Sequence, residues 1–106
     1  ISMSMAKVRI GIAGCLGRMG QELIREILSN KNFILAGGFE YKSHPMIGKT
    51  IKELTNLDTN ILVTNNAESV FKKSDVVIDF TTPQSTLANV KIASKTKTPL
   101  VIGTTG

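Results

Sequence analysis

Short apolar runs alternate along the chain with longer segments in which apolar residues recur at helical spacing. The run at 8–13, VRIGIA, is mostly β-branched or small and lacks strict alternation, which is typical of a strand buried on both faces of a parallel sheet. The segment 18–30 has a period of three to four residues and predicts a helix with one face on that sheet. Its apolar positions are Met19, Leu23, Ile24, Ile27 and Leu28.

Four further apolar runs predict strands, and they are separated by polar segments. The predicted strands lie at 32–40, 60–64, 75–80 and 99–103. Residues 41–60 are polar and lysine-rich, so we expect a loop there with one helical turn at 48–54.

Two more helices are predicted from their start signals. Asn66 is suited to cap a short helix over 66–73, and Thr82 is suited to cap a longer helix whose first turn carries Pro83. We expect the buried face of the longer helix to hold Leu87, Val90 and either Ile92 or Ala93.

Strands that alternate with helices predict an α/β fold, because parallel neighbours need a crossover connection. We therefore expect a Rossmann-type, doubly wound parallel sheet that forms the nucleotide-binding portion of such a fold. The length of 106 residues fits a single domain, which we place at 8–106. The start at 1–7 is interpreted as a disordered leader or a vector-derived segment.

A glycine-rich stretch, GCLGRMG, joins the first predicted strand to the first predicted helix. Gly14 would allow the sharp turn out of the strand, Gly17 would leave room for phosphates, and Gly20 would let helix and strand approach closely. Glu40 follows Gly20 at the end of the next strand, where an acid can accept hydrogen bonds from an adenosine ribose. Together these features predict a dinucleotide site.

Other interpretations of the glycines remain open. A tight turn without a ligand would have the same pattern. The spacing G-x-x-G-x-x-G also occurs in extended short-chain dehydrogenases, but those enzymes use a Tyr and a Lys four apart, and here Tyr41 is the sole tyrosine and lies in a loop. A methyltransferase that uses S-adenosylmethionine would share the turn and the acid.

Composition excludes several classes of function. The formal charge is +5, yet the lysines are scattered and there are only five aromatic residues, so we expect no nucleic-acid partner. No apolar run approaches the roughly 20 residues that cross a bilayer, and we expect no membrane partner. Cys15 has no cysteine partner for a disulfide or a metal site, so we expect a buried filler residue, no metal and a cytoplasmic protein.

Two polar residues are interpreted as structural. Asp79 lies in the most apolar predicted strand, where an unpaired charge would be costly, so we expect it to accept hydrogen bonds from a neighbouring loop. His44 lies in the polar loop and is expected to be exposed to solvent.

Three segments, GCLGRMG, DVVIDFTTP and VIGTTG, are similar in order and spacing to the 4-hydroxy-tetrahydrodipicolinate reductase (dihydrodipicolinate reductase) family. The resemblance runs from Val8 to Gly106. It implies an NAD(P)H-dependent oxidoreductase that transfers a hydride from NADH or NADPH to a cyclic dicarboxylate, in the diaminopimelate route to lysine.

The resemblance also implies roles for individual residues. Around the pyrophosphate it places Gly14, Gly17, Arg18, Met19 and Gly20. Glu40 would hold the adenine ribose, while Phe80 and Thr81 would flank the cofactor. Near the nicotinamide it places Gly103, Thr104 and Thr105, and Thr105 would also touch the substrate carboxylate. Alternatively, Phe80 belongs to the core, and Thr81 and Thr82 cap the following helix.

The chain departs from the family beside the ribose-binding acid. Many family members have a basic residue directly after it, whereas this chain has Tyr41 and then Lys42. Arg18 could still contact the 2′-phosphate of NADPH. The choice between NADH and NADPH therefore stays open, with use of both favoured.

The family's catalytic histidine pair, its lysine and its Ser-Gly-Thr substrate loop belong to a second domain. By this resemblance we expect no catalytic residue within 1–106, a chain that binds cofactor without turnover, and a homotetramer for the full-length protein. The alternatives are an NAD(H)-sensing module without catalysis, another Rossmann dehydrogenase, and a methyltransferase.

Overall fold

A computed structural model describes residues 7–103. Five strands form one parallel sheet, in the order β3-β2-β1-β4-β5. They are β1 (Val8–Ala13), β2 (Phe33–Phe39), β3 (Val63–Thr64), β4 (Val76–Asp79) and β5 (Leu100–Ile102). This order matches the first five strands of the Rossmann order 3-2-1-4-5-6, so the predicted fold class is confirmed. Residues 1–6 of the predicted leader lie outside the described residues.

Four helices connect the strands: α1 (Arg18–Ser29), α2 (Ile51–Thr55), α3 (Ala67–Lys73) and α4 (Pro83–Thr96). Both predicted caps are confirmed, because the side chain of Asn66 accepts from the N–H of Ser69 and that of Thr82 accepts from the N–H of Ser85. The helical turn expected in the lysine-rich loop is α2, which begins with a reciprocal capping box between Thr50 and Glu53.

The sheet is covered on both faces, as its apolar strands predict. On one face, α1 and α2 pack over a core that includes Ile10, Ile12, Ile24, Ile27 and Ile51. On the other face, α3 packs over a second core, in which the rings of Phe39 and Phe71 lie 5.9 Å apart.

The predicted buried face of α4 is wrong. Leu87 is 68% exposed and Val90 is 44% exposed, whereas Thr86 and Asn89 are the buried residues of this helix. The helix turns its polar face inward because Asn89 donates a hydrogen bond to the fully buried carboxylate of Asp79, and buried polar groups need such partners. Ile92 and Ala93 are half-buried, as expected.

The register of the sheet brings four strand ends to one edge. Ala13 is paired with Phe39 on one side and with Asp79 on the other, and Asp79 is paired with Ile102. The carboxyl ends of β1, β2, β4 and β5 therefore meet at this edge, where α1 and α4 begin. Within residues 7–103, no helix has both the length and the apolar character needed to cross a membrane.

Candidate functional site

A cavity of about 530 Å³ opens at this carboxyl edge, between the end of β2 and the first turns of α4. Five of the predicted cofactor residues line it: Gly14, Gly17, Glu40, Phe80 and Thr81. The polar or small residues that also line it, and that the sequence did not assign to the site, include Tyr41, Lys42, Asn65, Ser85, Ala88 and Asn89. Tyr41 and Lys42 could have been found as neighbours of Glu40, but the other four carry no signal in the sequence.

The backbone turns at Gly14, which has a φ of +75°. That left-handed conformation favours glycine, and a Cβ there would also lie 2.9 Å from Cγ2 of Thr81. The N–H of Gly14 donates to the carbonyl of Phe39 at 2.9 Å, which fixes the turn against β2. The expected role of Gly14 in the turn is confirmed.

Packing requires glycine at position 20 of the motif but not at position 17. A Cβ on Gly20 would collide with the carbonyl oxygen of Gly14 and would lie 2.9 Å from Cα of Cys15, so the packing of α1 on the turn requires glycine. Among residues 7–103, a Cβ on Gly17 would meet only the carbonyl oxygen of Gly14, at 3.4 Å, and φ is −71°. Neither packing nor backbone conformation therefore demands glycine at position 17, although that residue lines the cavity.

The amino end of α1 presents free backbone donors beside the cavity. Gly17 caps the helix without a side-chain hydrogen bond, and the first turn carries no acidic residue. Within residues 7–103, the N–H groups of Arg18, Met19 and Gly20 have no protein acceptor. The positive end of the helix dipole and these N–H groups together favour an anion. The side chains of Arg18 and Met19 are exposed.

Glu40 lies across the turn from this helix end. Its Oε2 accepts from the N–H of Leu16 at 2.8 Å, and its own N–H donates to the carbonyl of Thr64 at 3.0 Å. The half-buried carboxylate is thereby held beside the glycine-rich turn. Oε1 receives no hydrogen bond from the described part of the chain, so it can accept one from a ligand in the cavity.

Asp79 connects the end of β4 to two other elements. Its Oδ1 accepts from the N–H of Thr81 at 2.7 Å and from Oγ1 of Thr81 at 2.6 Å. Its Oδ2 accepts from Nδ2 of Asn89 at 3.0 Å. The expectation that Asp79 accepts hydrogen bonds from a neighbouring loop is confirmed, and the contact from α4 is additional. Thr82 caps α4, whereas Thr81 bonds to Asp79 instead.

Phe80 and Gly103 are in close contact at the same edge. A Cβ on Gly103 would lie 2.7 Å from Cδ1 of Phe80, so the half-buried ring requires glycine there. The N–H of Gly103 donates to the carbonyl of Asp79 at 2.8 Å. Thr104 and Thr105, the other residues expected near the nicotinamide, lie outside the described residues.

Cys15 and His44 were both predicted to be structural. Burial, together with the charge of Glu40, raises the pKa of the Cys15 thiol from 9.0 to about 12, which suits a filler and not a nucleophile. His44 is half-buried, so the prediction of an exposed side chain is wrong, because its ring packs against Tyr41. Within residues 7–103, no group of three or more His, Cys, Asp or Glu side chains is placed to hold a metal ion.

The family described as "Dihydrodipicolinate reductase, N-terminus" matches residues 8–106. The chain belongs to this family. That match confirms the resemblance drawn from the three motif segments, and the family's parallel sheet agrees with the fold observed here.

Individual relatives give the same result. The chain is 50% identical over 102 residues to the 4-hydroxy-tetrahydrodipicolinate reductase of Pelagibacter ubique, covering 96% of this chain and 36% of the relative. It is 38% identical over 102 residues to the same enzyme of Ehrlichia chaffeensis, covering 96% of this chain and 38% of the relative. The chain thus spans little more than a third of the length of these relatives.

A solved structure adds the three-dimensional match. The dipicolinate-bound dihydrodipicolinate reductase from Paenisporosarcina sp. TG-14 superimposes with a TM-score of 0.71 at 32% identity, covering 94% of this chain and 38% of that one. The match in sequence and the match in structure therefore support the same family. The family description assigns this chain to the N-terminal portion of the longer relatives.

Proposed function

We propose that this chain is the NAD(P)H-binding portion of a 4-hydroxy-tetrahydrodipicolinate reductase, an NAD(P)H-dependent oxidoreductase of the diaminopimelate route to lysine. The observation that carries the proposal is Gly17. The described protein leaves room for a side chain at this position, which lines the cavity beside the free N–H groups of α1. A diphosphate against this surface explains why a side chain is absent.

The cavity accommodates the cofactor in a defined direction. The pyrophosphate lies against Gly14, Gly17 and the amino end of α1, where Arg18, Met19 and Gly20 supply N–H donors. Oε1 of Glu40 accepts from a ribose hydroxyl, since Oε2 is taken by Leu16. This direction places the adenine near Tyr41 and Lys42.

The nicotinamide half then extends toward the other strand ends. Phe80 and Thr81 flank it, and from the family resemblance we assign Gly103, Thr104 and Thr105 to the nicotinamide as well. The Asp79 carboxylate orients the Thr81 hydroxyl by accepting a hydrogen bond from it. Thr105 additionally contacts the carboxylate of the substrate in this proposal.

Both NADH and NADPH are proposed as cofactors. The Glu40 carboxylate favours a free 2′-hydroxyl and repels a 2′-phosphate. Lys42 lines the same cavity, and Arg18 is exposed directly after the lining residue Gly17, so we propose these two cations to offset that repulsion. Neither form of the cofactor is therefore excluded by charge.

The chemistry of the whole protein is proposed from the family. The bound nicotinamide supplies a hydride to a small cyclic dicarboxylate. The residues that donate the proton and hold both carboxylates belong to the second domain of the reductase, so this chain by itself binds cofactor without turnover. The full-length protein is proposed to be a cytoplasmic homotetramer with neither nucleic-acid nor membrane partners.

Calorimetric titration tests the cofactor proposal. The chain is titrated with NADH, with NADPH and with S-adenosylmethionine, under the same buffer and salt. We expect saturable binding of both dinucleotides and none of S-adenosylmethionine, because the latter has no pyrophosphate. Binding of S-adenosylmethionine alone, or of none of the three, would overturn the proposal.

A further inference from the structure

Tyr41 stands in the wall of the cavity directly after Glu40, although 59% of its surface is exposed. An exposed aromatic side chain on a loop normally samples several rotamers, and a ligand that stacks on it must pay the entropy of fixing one of them. In this structure the ring is not left free. It packs against the ring of His44.

The two rings form an aromatic pair. Their centroids are 5.0 Å apart and their planes are tilted by 57°, within the range that aromatic pairs prefer. His44 does not itself line the cavity, whereas Tyr41 does. The imidazole therefore packs on the tyrosine without itself lining the cavity.

His44 is itself fixed by three hydrogen bonds along the backbone of the loop. Its N–H donates to the carbonyl of Tyr41 at 3.0 Å, and its carbonyl accepts from the N–H of Ile47 at 3.3 Å. Its side-chain Nδ1 accepts from the N–H of Met46 at 3.1 Å, which sets the orientation of the ring. The turn is also tied to the end of β3, since Nδ2 of Asn65 donates to the carbonyl of Lys42 at 3.2 Å.

We infer that His44 is a positioning residue, which holds the Tyr41 ring ready to stack on the adenine of the bound dinucleotide. The inference rests on the proposed function and deepens it, since it assigns the adenine end of the same site. Two properties of one side chain are separable here. The ring contacts Tyr41, and the Nδ1 acceptor orients that ring.

Three substitutions separate these properties. His44→Asn keeps an acceptor for the N–H two residues on and removes the ring. His44→Phe keeps an aromatic ring and removes the acceptor, and His44→Ala removes both. We expect His44→Asn and His44→Ala to weaken binding of ADP-ribose about three- to tenfold, and His44→Phe to restore most of that loss.

The sequence supplies a spectroscopic probe of this contact. Tyr41 is the sole tyrosine and there is no tryptophan, so tyrosine emission reports on this one ring. We expect the emission to be quenched by ADP-ribose and left unchanged by nicotinamide mononucleotide, which has no adenine. In the unliganded protein, His44→Asn should increase the fast component of the time-resolved emission anisotropy, whereas His44→Phe should leave it near wild type.

A double-mutant cycle on ADP-ribose affinity completes the test. If His44 acts through Tyr41, adding His44→Asn to Tyr41→Ala should cause no further loss. This inference would be overturned if wild type and His44→Asn had equal affinities and equal anisotropy, or if the losses in the double variant were fully additive. In either case, NADH binding by the wild type would still support the proposed function. A wild type that binds neither NADH nor ADP-ribose would overturn both.

Discussion

Asn89, in the middle of α4, donates its side-chain amide to Oδ2 of the fully buried Asp79 at 3.0 Å. The other oxygen of that carboxylate holds the N–H and hydroxyl of Thr81 in the cavity wall. One buried charge thus joins α4 to the end of β4. The orientation of α4 and the placement of Thr81 consequently depend on each other.

Asn89→Ala should destabilise the fold by about 1–3 kcal/mol, because it leaves one oxygen of a buried carboxylate without its donor. The measurement is the free energy of unfolding in urea. Leu87→Ala is the matched control, since Leu87 lies on the same helix and is largely exposed; it should change stability by at most about 0.5 kcal/mol. Equal effects of the two substitutions would contradict the assignment of Asp79 and Asn89 as the anchor of α4.

Gly17→Ala and Gly20→Ala should separate ligand binding from folding. Gly20→Ala places a Cβ against the backbone of Gly14 and Cys15, so unfolding in urea should occur at a markedly lower concentration. Gly17→Ala has room for its Cβ and should keep a near-native unfolding midpoint while NADH affinity falls at least about tenfold, a loss of roughly 1.4 kcal/mol. Retained affinity in a folded Gly17→Ala variant would remove the main support for the pyrophosphate site.

Much of the fold could be predicted from the sequence. Buried parallel strands appear in it as apolar runs, and the starts of helices are marked by capping residues. β1 has the predicted bounds, and α3 and α4 begin after the predicted caps Asn66 and Thr82. The inward face of α4 could not be predicted in this way. Apolar periodicity assigns burial to Leu87 and Val90, but a buried carboxylate on a neighbouring strand overrides it by requiring Asn89.

Site residues could be predicted from the sequence where the backbone conformation or a close contact requires one particular residue type. Gly14 and Gly20 are such cases, since a positive φ strongly favours glycine and a close backbone approach leaves no room for a Cβ. The far wall of the cavity was not predictable. Asn65 follows β3, whereas Ser85 and Ala88 lie on α4, and the packing of α4 on the sheet decides that they face the same space.

Glu40→Gln should weaken NADH binding more than NADPH binding. The carboxylate uses Oε2 for the N–H of Leu16 and leaves Oε1 for the ribose, whereas glutamine has one acceptor for both and no charge. We expect NADH affinity to fall about tenfold, since hydrogen bonds to charged groups contribute about 1.5–3 kcal/mol. NADPH should lose less, because removal of the charge also removes repulsion of the 2′-phosphate. Calorimetry with both cofactors measures the two losses, and an equal loss for both would argue against the ribose contact.

Alkaline pH should destabilise the protein through Cys15. Burial raises the pKa of this thiol to about 12 in the fold, while the unfolded chain ionises near its ordinary value of 9.0. Above that lower value the unfolded state releases a proton that the folded state keeps, so stability falls as pH rises. From about pH 8 to about pH 10, wild type should lose about 1 kcal/mol more than Cys15→Ala, which controls for lysine and tyrosine titration. Urea unfolding of both proteins at the two pH values measures the difference, and a stability gap that does not change with pH would show that the thiol ionises as readily in the fold as in the unfolded chain.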